Sequence, residues 1–381
     1  MKKTLSIWVV VLVAFFAIWS TVGSAASPIR IGSPVLLSGA GAYVGGAQKD
    51  TLEMMAAEIN KAGGINGRQL EFIFYDEEGK PEVAVTLVKR LIQKDKVVAI
   101  LGVSTSWTAA AAIPIIEQNK IPAILLGAAA SITDPVKKWI FKTPPDDRLT
   151  VGRILSDIRT KNIKEVALVT SQDAFGDSGH GEVLAQAAKY GIKVVFDERY
   201  TMEDTDITPL LNKIKSTTAQ AVINWSSRRA LVVMTNDYRQ VGLTLPLYHS
   251  NAAMSNDFVE ATGKNAIGVK SASGKMYAGN DLPDSDVQKK VIQGYQRAYK
   301  EKYGKEANPF GANAFDAFNI LVAALKKAPD DKAKLRDAIE QTKGYVGIMG
   351  VYNYSPKDHA GLSPDSLLMF QVEDNTWKMI K

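Results

Sequence analysis

No cysteine occurs anywhere in the 381 residues. That excludes a disulfide framework, a thiol nucleophile, a Cys-ligated zinc site and a lipid-modified N-terminal cysteine. Histidine is scarce: His180, His249 and His359 show no metal-ligand spacing, so no metal or histidine-based catalytic centre is expected. Lys and Arg outnumber Asp and Glu by 46 to 40 but never form blocks, so no nucleic-acid face is expected. Catalytic signatures are missing too. There is no G-x-S-x-G elbow and no P-loop, and Ser178-Gly179-His180-Gly181 lacks a supporting triad order. Gly39-Ala40-Gly41-Ala42-Tyr43-Val44-Gly45 approaches a dinucleotide fingerprint but carries Val44 where glycine is needed. Neither enzyme activity nor a cofactor is expected.

What is present begins with Lys2 and Lys3, an apolar run from Ile7 to Trp19, and Ser24-Ala25-Ala26 before Ser27. This is the three-part pattern of a cleaved secretory signal over residues 1–26. The run of 13 residues is shorter than the roughly 20 needed to cross a bilayer, which weighs against the alternative of an uncleaved anchor. Export removes the chain from ATP and cytosolic cofactors. Residues 27–381 suffice for two domains of ordinary size, and 46% hydrophobic residues can build their cores.

The remainder alternates short β-rich runs with helical periodicities. Ile29–Leu37 reads as a strand, Ser38–Gly46 as a Gly/Ala loop, and Leu52, Met55, Ala56 and Ile59 as one helical stripe. Leu70–Tyr75, Val97–Leu101 and Pro122–Leu126 read as further strands, with a helix opening at Pro81. A second series follows Pro144-Pro145, with strands at 166–169, 194–196, 221–223 and 247–248. Its helices are expected near 149–160, 178–190, 207–215, 229–241 and 256–262. Helices near 287–303, 311–327 and 332–342 precede strands near 350–354 and 366–372. Two consecutive series predict an α/β protein of two doubly wound, Rossmann-like lobes with a ligand cleft between strand ends.

Candidate binding residues sit at those ends. Ser104, Thr105, Ser106 and Thr108 flank Trp107 at a helix start, where free N–H groups and the helix dipole suit an anion. Plain N-capping needs only one of these hydroxyls. Gly127, Ala128 and Ala129 end another apolar strand and let a ligand approach backbone N–H groups. Tyr43, Trp107, Phe175 and Trp225 are aromatic candidates for the cleft wall, though each alone suits a core as well. Arg228 and Arg229 read as a helix start, solvated for at least one of them.

Several motifs carry a family resemblance: Ile31-Gly32 through Leu37-Ser38-Gly39 with Gly45, Ala57-Glu58-Ile59-Asn60-Lys61-Ala62-Gly63-Gly64-Ile65-Asn66-Gly67, Tyr75-Asp76, and Phe175-Gly176-Asp177. Over Ile29 to about Val372 the chain resembles the periplasmic solute-binding proteins of branched-chain amino-acid ABC transporters, of class I fold. The resemblance implies lobes of 27–145 with 275–350 and 146–274 with 351–381, and crossovers near 143–148, 270–277 and 348–356. It implies a monomer in the periplasm that binds an amino acid or related small carboxylate and delivers it to an inner-membrane permease. A sensor docking on a membrane receptor would share the same cleft. Carried over by position, the carboxylate-binding serine is Ser106, helped by Gly127 and Ala128, with Ala129 in place of a threonine. The second-lobe aromatic is Phe175. Asn251 stands where an acid would neutralise the ligand's ammonium, leaving Asp173 as a substitute acid or a ligand without an α-amino group.

Overall fold

The computed structural model describes residues 27–380, so the expected signal segment 1–26 lies outside the described residues. Wholly apolar strands need cover on both faces, and the chain supplies it by alternating strand and helix. β1 (Ile29–Val35), β2 (Leu70–Asp76), β3 (Ala99–Gly102), β4 (Ala123–Leu125) and β5 (Ile140–Lys142) form a parallel sheet of order β2-β1-β3-β4-β5. Its first helices are α1 (Ala42–Lys61), α2 (Pro81–Gln93) and α3 (Ser106–Gln118).

Beyond β5 come α4 (Asp147–Thr160), β6 (Glu165–Ser171), α5 (Ala174–Gln186), β7 (Lys193–Tyr200), α6 (Thr208–Ile214), β8 (Ala221–Trp225), α7 (Arg228–Gln240), β9 (Leu247–His249), α8 (Asn256–Thr262) and β10 (Lys270–Ser273). Helices α9 (Lys289–Tyr303), α10 (Pro309–Leu325) and α11 (Lys332–Glu340) follow, and α10 lies along α1 and against β3. A small hairpin of β11 (Tyr345–Val346) and β12 (Val351–Tyr352) precedes β13 (Leu368–Glu373) and β14 (Thr376–Ile380). The second sheet runs β14-β13-β10-β9-β8-β6-β7, all in one direction except β13, which pairs antiparallel with both β10 and β14. No helix among the described residues is long and apolar enough to cross a membrane.

Four expectations need correction. The segment from Ser38 to Gly46 is not a loop, because α1 starts at Ala42. Gly41 and Gly45 serve close packing: a Cβ on Gly45 would stand 2.0 Å from the Leu36 carbonyl oxygen. Helix α5 starts at Ala174 rather than 178, since the Asp173 carboxylate accepts from the Gly176 N–H and caps it there. The second crossing lies later than 270–277, because Tyr277 still packs edge-on against Phe370 of β13. The third lies later than 348–356. Residues up to His359 remain on the first sheet, with His359 stacked on Phe141 of β5 at 4.1 Å and Tyr354 donating to the Lys142 carbonyl.

A buried carboxylate pins this last segment. Asp316 of α10 accepts from the N–H groups of Ile348 (2.7 Å) and Met349 (2.9 Å) and lies 3.1 Å from the Tyr352 hydroxyl oxygen. Tyr352 donates in turn to the Thr143 carbonyl, so two interlobe strands share one anchor.

Three acids with no exposed surface carry carboxyls pushed up by burial: Glu77 and Asp147 to about 8, and Asp316 to about 7. In the unfolded chain each returns to about 4. Between about pH 4 and 8 the folded state therefore holds more protons, and stability falls as pH rises through that window. The Tm should be higher at about pH 5.5 than at about pH 8, and Asp147→Asn should flatten the slope. A melting temperature that climbs steadily to pH 8 would show these acids ionised in the folded state.

Candidate functional site

The two sheets face each other with their strand ends across a cavity of about 740 Å3, mouth included. Its first wall begins where β3 ends. Val103 is forced into the left-handed region (φ 56), a strained state for a β-branched residue. Its N–H donates to the Pro34 carbonyl at 2.6 Å, and the turn carries residues 104–107 to the cavity.

Most hydroxyls here serve the fold. Thr105 caps α3 by accepting from the Thr108 N–H (3.2 Å). Thr108 donates to Glu77 (3.0 Å), while Ser104 donates to Gln48 (2.6 Å) and accepts from the Leu36 N–H. Ser106 differs. Its Oγ accepts from the Ala129 N–H at 3.0 Å, leaving its own proton for a ligand. Gly127 keeps the neighbouring backbone open, since a Cβ there would stand 2.9 Å from the Ser106 nitrogen. An open N–H at a helix start beside a free hydroxyl proton suits an anion.

Behind the 127–129 loop, Lys142 has no exposed surface. Its Nζ donates to the carbonyls of Ala128 (2.8 Å) and Ala129 (3.0 Å) and pairs with Asp146 (3.1 Å), the N-cap of α4. Two carbonyls that would repel an anion are thereby engaged by a cation.

The facing wall carries Asp173, Phe175, Ser227, Arg228 and Asn251. Asp173 spends Oδ1 on the Ser171 hydroxyl (2.9 Å) and the Gly176 N–H (2.8 Å). The rim and floor are apolar: Pro144, Pro145, Phe310 and Met349, with Tyr43 edge-on to Phe310 at 5.7 Å. Burial raises the Tyr43 hydroxyl well above its ordinary value, so it stays neutral. Among the lining residues there is one acid, Asp173, and one base, Arg228. The lobes are closed on each other. The Ala130 N–H donates to the Ser178 hydroxyl of α5 (3.0 Å), and Arg148 of α4 pairs with both Asp134 and Glu182.

Of the residues singled out from the sequence, Tyr43, Ser106, Trp107, Gly127, Ala128, Phe175 and Asn251 line this one cavity. Trp225 and Ala129 do not. Trp225 is wholly buried, packed behind Phe175 at 5.8 Å and against Gly179, while Ala129 lies one residue behind the wall with its N–H spent on Ser106. Asn313, Phe310 and Met349 were missed, and Arg228 was read with Arg229 as a helix start, solvated for at least one of them. The Asn308-Pro309 pair, a cap followed by proline, marks the start of α10 and could have located Phe310 and Asn313. Nothing local marks Arg228, whose neighbour Arg229 is exposed. No histidine lines the cavity. His249 is held by Asn224 (2.9 Å) and Thr235 (2.8 Å) and pushed down to about 3 by burial.

Two alanine substitutions separate site from scaffold. Gly127→Ala covers the Ser106 N–H and should weaken carboxylate binding about tenfold, read by calorimetry. Gly179→Ala drives a Cβ to within 2.3 Å of the Trp225 ring. It should cost about 1–3 kcal/mol in urea unfolding.

Comparison with known proteins agrees with this architecture. The profile of the family described as periplasmic binding protein matches residues 28–376. The Leu/Ile/Val-binding protein homolog 3 of Brucella melitensis is 25% identical over 367 residues, 95% of this chain and 96% of that one. The leucine-, isoleucine-, valine-, threonine-, and alanine-binding protein of Pseudomonas aeruginosa is 26% identical over 86% of this chain and 85% of its own. Among solved structures, an extracellular ligand-binding receptor from Rhodopseudomonas palustris HaA2 superposes with a TM-score of 0.87 at 25% identity, covering 93% of this chain and 99% of that one. An isoleucine-bound branched-chain amino acid transporter substrate binding protein from Streptococcus pneumoniae, 23% identical with 93% and 99% covered, shares the fold with a TM-score of 0.82. The chain belongs to the periplasmic binding protein family, with the two-lobed class I architecture of that family.

Proposed function

We propose that this chain is the substrate-binding component of an ABC importer, closing on a small carboxylic acid and delivering it unchanged to an inner-membrane permease. It acts as a monomer without cofactor or covalent chemistry, exported by the segment 1–26 and, lacking cysteine, not lipid-anchored. The first lobe comprises residues 27–145 and about 279–361, and the second 146–278 and about 362–380.

The observation that carries the reading is Ser106. Its open N–H and free hydroxyl proton stand at a helix start inside an otherwise apolar chamber. The ligand's carboxylate would rest there, with Trp107, Phe175 and Tyr43 around an aromatic or branched body. A ligand without an α-ammonium fits the charges best. Asn251 is neutral, and Asp173 is half committed to capping α5. A buried ammonium would also share the cavity with Arg228. The branched-chain amino acids bound by the named relatives are thus the class to be tested against simple acids.

A thermal-shift screen of leucine, isoleucine and valine beside aromatic and branched aliphatic acids tests this. A ligand at 100 times its Kd adds about 2.7 kcal/mol. An acid should give the largest shift, and Ser106→Ala should weaken it by about 1.5–3 kcal/mol, the worth of a hydrogen bond to a charged group. A large shift with leucine and none with the acids would refute the reading.

A further inference from the structure

The carboxylate site leaves one charged side chain of the cavity without a task. Arg228 opens α7 in a left-handed backbone conformation (φ 53), a strained state for a long side chain. Its buried Nε has no hydrogen-bond partner. Glu77 feels its charge but gives its bonded oxygen to the Ser104 N–H and the Thr108 hydroxyl. Closure of the lobes places the arginine deliberately. Its Cδ packs where a Cβ on Gly41 would stand 2.8 Å away, and its Nη1 where one on Gly79 would stand 3.0 Å away. Two glycines of the first lobe thus make room for an arginine of the second. The guanidinium faces the cavity with its buried Nε unspent.

Position along the sheet says which part of a ligand it meets. Gly79 follows β2, at the edge of the first sheet, whereas Ser106 follows β3 and Gly127 follows β4. Its contacts with Gly41 after β1 and Gly79 after β2 place Arg228 on the β1–β2 side of the cavity, one to two strand spacings, about 5–10 Å, from the strand that leads to Ser106. Resting on the carboxylic-acid reading above, we infer that Arg228 is a specificity-determining residue that binds an oxygen acceptor at the end of the ligand remote from Ser106. The ligand class is then a bifunctional acid, with a carboxylate at one end and a carbonyl, hydroxyl or second carboxylate at the other. A donor cation left unpaired in an apolar chamber disfavours a plain hydrocarbon tail and rewards an acceptor there.

Two isosteric pairs test this by calorimetry: 4-ethylbenzoate with 4-acetylbenzoate, and heptanoate with 6-oxoheptanoate. The unaltered protein should prefer the keto member of at least one pair about tenfold or more, the ratio a charged hydrogen bond supplies. Arg228→Met should abolish that preference by relieving the penalty on the plain acid, and its urea-unfolding midpoint reports that the variant folds. Arg228→Lys should restore part of it. Absence of the preference in the unaltered protein, or its survival in Arg228→Met, overturns the assignment. Binding of leucine with none of the four acids overturns the carboxylic-acid reading on which it rests.

Discussion

A lysine with no exposed surface ties the cavity wall to the crossing between the lobes. Lys142 ends the last strand of the first sheet, and its ammonium holds the carbonyls of Ala128 and Ala129 together with the carboxylate of Asp146. Burying a cation is costly unless every donor is used, and here three acceptors use it. The consequence reaches both ways. Toward the cavity, it fixes the loop that gives its Ala129 N–H to Ser106 and leaves that serine's proton free. Toward the second lobe, it fixes Asp146, which caps α4 through the Arg148 N–H. Arg148 then bridges to Asp134 and Glu182.

The hinge uses a second buried ionisable group in a related way. Asp316 collects the backbone of residues 348–349 and the Tyr352 hydroxyl, and Tyr352 and Tyr354 reach back to the carbonyls of Thr143 and Lys142. Met349, held by Asp316, lines the cavity, and so does Asn313 from the first turns of the same helix. The crossing strands are therefore part of the chamber wall, so rotation at the hinge and the shape of the chamber change together. A ligand that touches both walls shifts the population toward the closed form by its differential affinity for it.

The rhythm of the two series was legible because apolar strands and amphipathic helices differ in period, and α8 falls where periodicity placed it. Two short strands, β5 and β10 of three and four residues, were not, although β4 and β9, of three residues each, were. That Ser106 and Gly127 reach the cavity was legible because a helix start and the end of an apolar strand are both local signals. Trp225 was misplaced because the aromatic ends its strand on the face turned toward α5, where Gly179 receives it. Strand position alone does not say which face a side chain takes. Which of Arg228 and Arg229 turns to the cavity was illegible for a different reason. An arginine at a helix start is ordinarily solvated, and the role of Arg228 depends on Gly41 and Gly79, which lie some 150 or more residues away in the other lobe.

The central claim is that the cleft holds an acid by its carboxylate at the start of α3. A crystal structure with the acid that stabilises the protein most is the most direct measurement. The account predicts carboxylate oxygens about 3 Å from the Ser106 hydroxyl and backbone nitrogen, with the body of the ligand between Trp107 and Phe175. A ligand lying outside the cleft, or one turned so that its carboxylate points away from Ser106, would contradict it.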